Sequence, residues 1–125
     1  MKKSMLFLSV IIIYSVACSQ GSIDEKKSIT ASELKQQLSN DDLIVLDVRT
    51  DAEVIGPMKM IDHAVHIPID QLESRIGELD KYKNKKIAVI CRSGKRSAKG
   101  TKILQQHGFD AVNVEGGMLA YTGTK

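Results

Sequence analysis

The sequence predicts an α/β sandwich built around a mostly parallel central sheet of about five strands. Three observations lead there. Short unbroken apolar runs, Leu43-Ile-Val-Leu46 and Ile87-Ala-Val-Ile90, have the length and composition of strands covered on both faces. Segments with helical spacing fall between such runs and give a β-α-β-α order. Finally, two Cys and three scattered His supply neither a disulfide framework nor a zinc pattern, so an ordinary apolar core must hold the fold.

The elements follow in chain order. Thr30 reads as an N-cap, and Glu33 three residues later completes a capping box. Ala31 to Leu38 is then a helix with Leu34 and Leu38 on one face, ended by Asp41-Asp42. Leu43 to Val48 is a buried strand carrying Asp47 near its C-terminal end. Arg49 to Met60 is irregular, with a turn at Gly56-Pro57. Ala64 to Ile67 is a short strand closed by Pro68, and Ile69 to Leu79 has helical spacing through Leu72, Ile76 and Leu79. Ile87 to Ile90 is the most apolar strand. Ser97 to His107 is a helix stopped by Gly108, Ala111 to Val114 a last strand, and Gly116-Gly117 the lead into a short terminal helix.

The 125 residues make one domain. With 42% hydrophobic and 26% charged residues the chain is too apolar for disorder. Residues 1–17 read as a signal peptide. Lys2 and Lys3 precede an apolar run from Met5 to Val16, and a bilayer-spanning helix needs about 20 apolar residues, more than this run has. Ser15-Val16-Ala17 fits a signal-peptidase site, while Ala17-Cys18 resembles a bacterial lipoprotein signal in which Cys18 is lipidated. The second is favoured, because a free Cys at a new N-terminus is a liability in an oxidising compartment. Residues 18–27 then form a polar tether and residues 28–125 the domain. The expected location is the periplasm or cell envelope, with membrane contact only through the lipid anchor.

Charge is uneven along the chain. Residues 18–80 hold 6 basic and 13 acidic residues, and residues 81–125 hold 10 basic and 2 acidic. The basic half points to an anionic partner. Stacking aromatics are scarce there, which argues against nucleic acid.

The chemistry concentrates at Cys91. It follows the strand Ile87–Ile90, so it stands at the carboxyl end of a parallel sheet, where such folds bind ligands. Arg92, Ser93, Gly94, Lys95 and Arg96 come next, and Ser97 opens a helix. A strand, a tight turn and a helix N-terminus direct several backbone N–H groups at one point, which holds an anion and favours the thiolate over the thiol. Gly94 lets the turn stay open. The competing reading is an inert buried Cys, and the cation-rich turn weighs against it.

The run Cys91-Arg-Ser-Gly-Lys-Arg-Ser97 resembles the active-site loop of the rhodanese family of sulfurtransferases. Leu46-Asp-Val-Arg49 with Glu53, Ala64-Val-His-Ile-Pro68, Gly108-Phe109 and Glu115-Gly-Gly-Met-Leu-Ala-Tyr121 resemble its other motifs, in the right order over residues 30 to 121. Lys59-Met-Ile61 replaces the family's usual Gly-His-Ile, the Gly56-Pro57 segment is slightly longer than the commonest form, and Tyr121 stands where Trp is common. The resemblance implies a rhodanese-like three-layer sandwich and a thiosulfate or persulfide sulfurtransferase. A sulfane sulfur would pass through a Cys91 persulfide to a thiophilic acceptor such as cyanide or a thiol.

Four residues separate Cys91 from Arg96, against five between the Cys and Arg of protein tyrosine phosphatases, and the smaller ring suits sulfur better than phosphate. Arg92 and Lys95 are expected to dock the small anionic donor. Arg96 either binds substrate or braces the loop. Ser97 is expected to cap the helix and hydrogen-bond within the loop. Asp47, Arg49 and Glu53 are expected to form one structural ion-pair set near the strand end, with pocket shaping as the alternative. His107 is assigned to the helix C-terminus, and His63 and His66 lack the company of a metal site. The reading needs no cofactor. Two further hypotheses stand beside it: a persulfide carrier without turnover, and an inactive interaction domain, against which the intact cationic loop argues.

Overall fold

The computed structural model describes residues 28–125. The assigned signal segment, the tether and Cys18 lie outside the described residues. Five strands make one sheet in the order β1-β5-β4-β2-β3: β1 Ser28–Ile29, β2 Leu43–Asp47, β3 Val65–His66, β4 Lys86–Ile90 and β5 Asp110–Val114. Every pairing is parallel. The helices are α1 Ala31–Gln37, α2 Asp51–Val54, α3 Lys95–Gln106 and α4 Gly117–Thr122.

Strand parity sorts the core into two halves. Ile87, Val89 and Cys91 face one side of the sheet with Leu46, Val48, Ala111, Ile103 and Leu104. Ala88 and Ile90 face the other with Leu34, Val45, Val112, Val114 and Met118. Alternate side chains point to opposite faces, so a strand buried on both must be apolar throughout. That is why Ile87–Ile90 has no polar residue. α3 covers the first face and α1 with α4 the second, which gives the three layers.

Several elements differ from the sequence expectation, each for a local reason. The two-residue strand β1 has no hydrophobic pattern to reveal it and exists by pairing Ser28 and Ile29 with Asn113 and Val114. The segment read as irregular contains α2, whose N-cap Thr50 and Glu53 form a second capping box. Ile69 to Leu79 is not one helix but two 3₁₀ stretches, Ile69–Gln71 and Ile76–Tyr82. The apolar spacing there reports burial of Leu72 and Leu79, and it does not require α-helical hydrogen bonding. α3 begins at Lys95, two residues before Ser97, with Gly94 as its N-cap. The first capping box forms as expected from Thr30 and Glu33. Leu34 is fully buried, whereas Leu38 is the C-cap residue and half in solvent. His107 Nδ1 donates to the Ile103 carbonyl at 2.9 Å, at the end of α3 as assigned.

Chain order reverses around β4, the centre of the sheet. β2 and β3 lie to one side of it and β5 and β1 to the other. Val48 N donates to Ile90 O at 3.0 Å, so the segment leaving β2 runs beside the segment leaving β4. Such a reversal leaves a crevice beyond the strand ends. Its floor is fixed by a buried ion pair. Arg49 and Asp47 are both fully buried, with Arg49 Nε and Nη2 donating to the Asp47 carboxylate at 2.8–3.1 Å. Arg49 Nη1 donates to Met58 O at 2.8 Å, and Arg49 N to Asp47 Oδ1 at 3.0 Å. Removing one member of such a pair strands the other charge without water. Arg49→Met should therefore cost about 3–5 kcal/mol, and the double change Asp47→Leu with Arg49→Met should recover part of it. Chemical denaturation of the three proteins checks this. A single variant as stable as the wild type would contradict the assignment.

Candidate active site

Cys91 leaves the C-terminal end of β4 and the chain turns at once into α3. Gly94 makes that turn at φ +100°, a conformation most L-residues avoid. A Cβ there would also stand 3.2 Å from Gly116 N. The turn folds the first N–H groups of α3 back over the strand end. Gly94 N–H donates to Cys91 Sγ at 3.0 Å, and the Ser97 hydroxyl lies 3.3 Å from the same sulfur. Ser97 is fully buried in the first turn of α3, so its hydroxyl has little else to serve. It is a hydrogen-bond partner of the loop, as expected, but Gly94 holds the cap position in its place.

Cys91 itself is only 1% exposed. Burial pushes its thiol up. The Ser97 hydroxyl and the amides of Ser97, Gly94 and Ser93 pull it down and prevail, so it lies below the ordinary value of 9.0. The strand side of the sulfur is packed in the core with Val89 and its neighbours. A reacting atom therefore has to arrive from the loop side.

The loop is braced from two directions. On the α4 side, Met118 N–H donates to Cys91 O at 2.8 Å and Leu119 N–H to Arg92 O at 3.0 Å. Gly117, at φ +55°, allows this contact, because a Cβ there would come within 2.4 Å of Cys91 O. On the α2 side, the Glu53 carboxylate accepts from Arg96 Nη1 and Nη2, both at 2.7 Å. This corrects the expected three-residue set. Asp47 and Arg49 pair with each other, while Glu53 belongs to Arg96, 43 positions away in the chain. It also settles the geometry of Arg96, whose bidentate fork is taken up by Glu53. Arg92, Ser93 and Lys95 are exposed, and Arg92 and Lys95 have no ion-pair partner among the described residues. Beside the loop, Arg49, Ala52, Glu53, Gly56, Pro57, Met58, and Arg92 line part of a groove of about 490 Å³.

Sequence reasoning found the loop but not its braces. The double Gly of the closing motif was the available signal for α4. Glu53 carried none, since capping boxes seldom announce a second partner. Its carboxyl is lowered to about 2, first by the Arg96 hydrogen bonds, against burial and with help from the Thr50 amide and hydroxyl. The folded pKa lies below the ordinary 4.5, so the pair's stabilisation is full above pH 4.5 and is lost as pH falls toward 2. Both side chains are partly exposed, which limits the effect to about 1 kcal/mol. Comparing wild type with Glu53→Gln by denaturation at stepped pH should show a stability gap at neutral pH that closes over that window. A gap constant down to pH 2 would contradict the pairing.

Comparison with known proteins agrees with this geometry. The family described as the rhodanese-like domain matches residues 30–124. A Bacillus subtilis (strain 168) protein named "Putative sulfurtransferase YtwF" is 43% identical over 100 residues, covering 79% of this chain and 93% of its own. An Allochromatium vinosum protein named "Sulfurtransferase" is 33% identical over 95 residues, covering 74% of this chain and 85% of its own. The crystal structure of a rhodanese-like domain protein from Staphylococcus aureus superposes with a TM-score of 0.68 at 42% identity, covering 76% of this chain and 90% of that one. With a five-strand parallel sheet, helices on both faces and a Cys-bearing turn at the centre, the chain belongs to the rhodanese-like family, whose named relatives include sulfurtransferases.

Proposed function

We propose that this protein is a thiosulfate or persulfide sulfurtransferase that works by double displacement through Cys91. The observation that carries the reading is the set of donors converging on Cys91 Sγ, from Gly94 N–H and the Ser97 hydroxyl. They hold negative charge on a sulfur that burial alone would keep protonated.

In the first half, the Cys91 thiolate attacks the sulfane sulfur of the donor. A new S–S bond forms to Cys91, the bond to the sulfonate sulfur breaks, and sulfite leaves with the electron pair. The negative charge now sits on the terminal sulfur of the persulfide. The same amides and the N-terminus of α3 stabilise it there. In the second half, an acceptor thiolate or cyanide attacks that terminal sulfur and the Cys91 thiolate departs. Arg92 and Lys95, exposed and without counter-ions among the described residues, attract the anionic donor. Arg96, held by Glu53, serves as a brace of the loop.

The assigned address belongs to the same proposal. Export to the periplasm or cell envelope, with Cys18 as the lipidated first residue, would put the domain on a tether of residues 18–27. Intact-mass analysis of the mature protein tests it, and a soluble species without an acyl mass on Cys18 would overturn it.

The enzymatic reading has its own test. Incubation with thiosulfate should add roughly 32 Da, one sulfur atom, to the wild type, and cyanide should remove it with thiocyanate formed. Cys91→Ser should take up no sulfur and show no turnover. Lys95→Ala should mainly raise KM for thiosulfate, leaving kcat within about a factor of 2–3. An active serine variant would overturn the covalent mechanism. A single stoichiometric charge of sulfur without steady-state turnover would identify a carrier instead.

A further inference from the structure

We infer that Asn113 is a positioning residue for the sulfur site, holding the Gly94 carbonyl and with it the backbone angles that aim the Gly94 N–H at Cys91. The inference rests on the sulfur-transfer reading of Cys91, and it adds a residue to that site. Asn113 lies on β5, directly beside Val89 of β4 in the sheet register. Strand parity puts it on the same face as Ala111, toward α3 and the Cys91 half of the core. A polar side chain on an inward face between Val112 and Val114 breaks the apolar pattern of its strand.

Its contacts account for it. Asn113 Nδ2 donates to Gly94 O at 3.3 Å. Gly94 O also accepts from Ala98 N–H at 3.2 Å, as the first helical carbonyl of α3. The amide therefore joins β5 to the residue whose own N–H lies 3.0 Å from Cys91 Sγ. The reverse amide orientation would set two carbonyl-type oxygens against each other, so the nitrogen must face Gly94. Meanwhile Asn113 Oδ1 is buried with no hydrogen-bond partner among the described residues. A buried unpaired acceptor is unfavourable. An apolar side chain of similar shape would avoid that penalty, so the amide is poorly explained by stability alone.

Gly94 is the residue most in need of such a hold. It carries the left-handed backbone, and its lack of a side chain gives its peptide more freedom than its neighbours have. Gly94 O and Gly94 N–H lie on the two peptide units either side of its Cα, so loosening the carbonyl frees the φ and ψ angles that aim the N–H at the sulfur, and one of the contacts that favour the thiolate is lost. The charged groups around the sulfur are Arg96 with its partner Glu53, the buried Asp47–Arg49 pair at the end of β2, and the exposed Arg92 and Lys95 of the loop. A neutral substitution at Asn113 leaves all of them in place.

The test compares wild type, Asn113→Leu and Asn113→Ala. Thermal unfolding reports the fold, iodoacetamide alkylation across pH reports the Cys91 thiolate, and thiosulfate-to-cyanide kinetics report turnover. Asn113→Leu should keep or raise Tm, move the alkylation midpoint to higher pH, and lower kcat roughly 3- to 10-fold with KM for thiosulfate little changed, the loss expected of one hydrogen bond. Asn113→Ala removes the donor to Gly94 O without adding charge or bulk, and it should move the midpoint in the same direction. It decides the matter should the Leu variant fail to fold. Midpoints at the wild-type value in the folded variants would overturn the inference, as would activity lost only in parallel with Tm. Because alkylation needs no sulfur transfer, a wild type inactive toward thiosulfate would remove the enzymatic reading while leaving the alkylation comparison decisive for Asn113.

Discussion

A sulfur atom that has to carry negative charge is disfavoured by burial, and Cys91 is buried to 1% exposure. The site is organised around offsetting that penalty. Water is replaced by fixed donors: the Gly94 amide at 3.0 Å and the Ser97 hydroxyl at 3.3 Å, with the Ser97 and Ser93 amides also lowering the thiol. Donors fixed in the fold need not reorganise when charge moves from one sulfur to the next, which is the electrostatic advantage of a preorganised site over solvent. The rest of the architecture serves to keep those donors where they are.

Three separate elements share that task. The N-terminal amides of α4 take the carbonyls of Cys91 and Arg92, which fixes the peptide planes leaving β4. Glu53 at the end of α2 grips Arg96 from the opposite side. The buried Asp47–Arg49 pair, with its bond to Met58 O, sets the path of the chain between β2 and α2 and so the position from which Glu53 reaches. The loop's cations consequently divide into two kinds. Arg96 is committed to structure, whereas Arg92 and Lys95 stay free to set the potential that an anionic donor meets.

The sheet order explains why all of this meets at one residue. β4 is central, its neighbours on the two sides arrive from different parts of the chain, and all strands point the same way. The end of the middle strand is therefore the one place within reach of the segments following β2, β4 and β5 together. The apolar run Ile87–Ile90 suits that central place, since all four of its residues are buried, whereas Leu43 and Ile44 of the apolar run in β2 are only partly so.

The class of fold, the central strand, the first capping box and the Cys91-to-Ser97 loop are legible in local patterns: apolar runs, cap spacing, and a Cys followed by cations and Gly. Those patterns also group Asp47 and Arg49, two residues apart on one strand end, in an ion-pair set, but they add Glu53 to it, which the structure gives to Arg96. It takes the folded chain to pair Glu53 with Arg96, to bring α4 against Cys91 O at Gly117, and to carry Asn113 to Gly94 O. Those partners are 43, 26 and 19 residues apart, and no local periodicity encodes a contact made by bringing distant strand ends together. The 3₁₀ stretches and α2 escape local pattern for a related reason: apolar spacing records which side chains are buried, while the type of helix, or its presence, is set by how the backbone must bend to bury them.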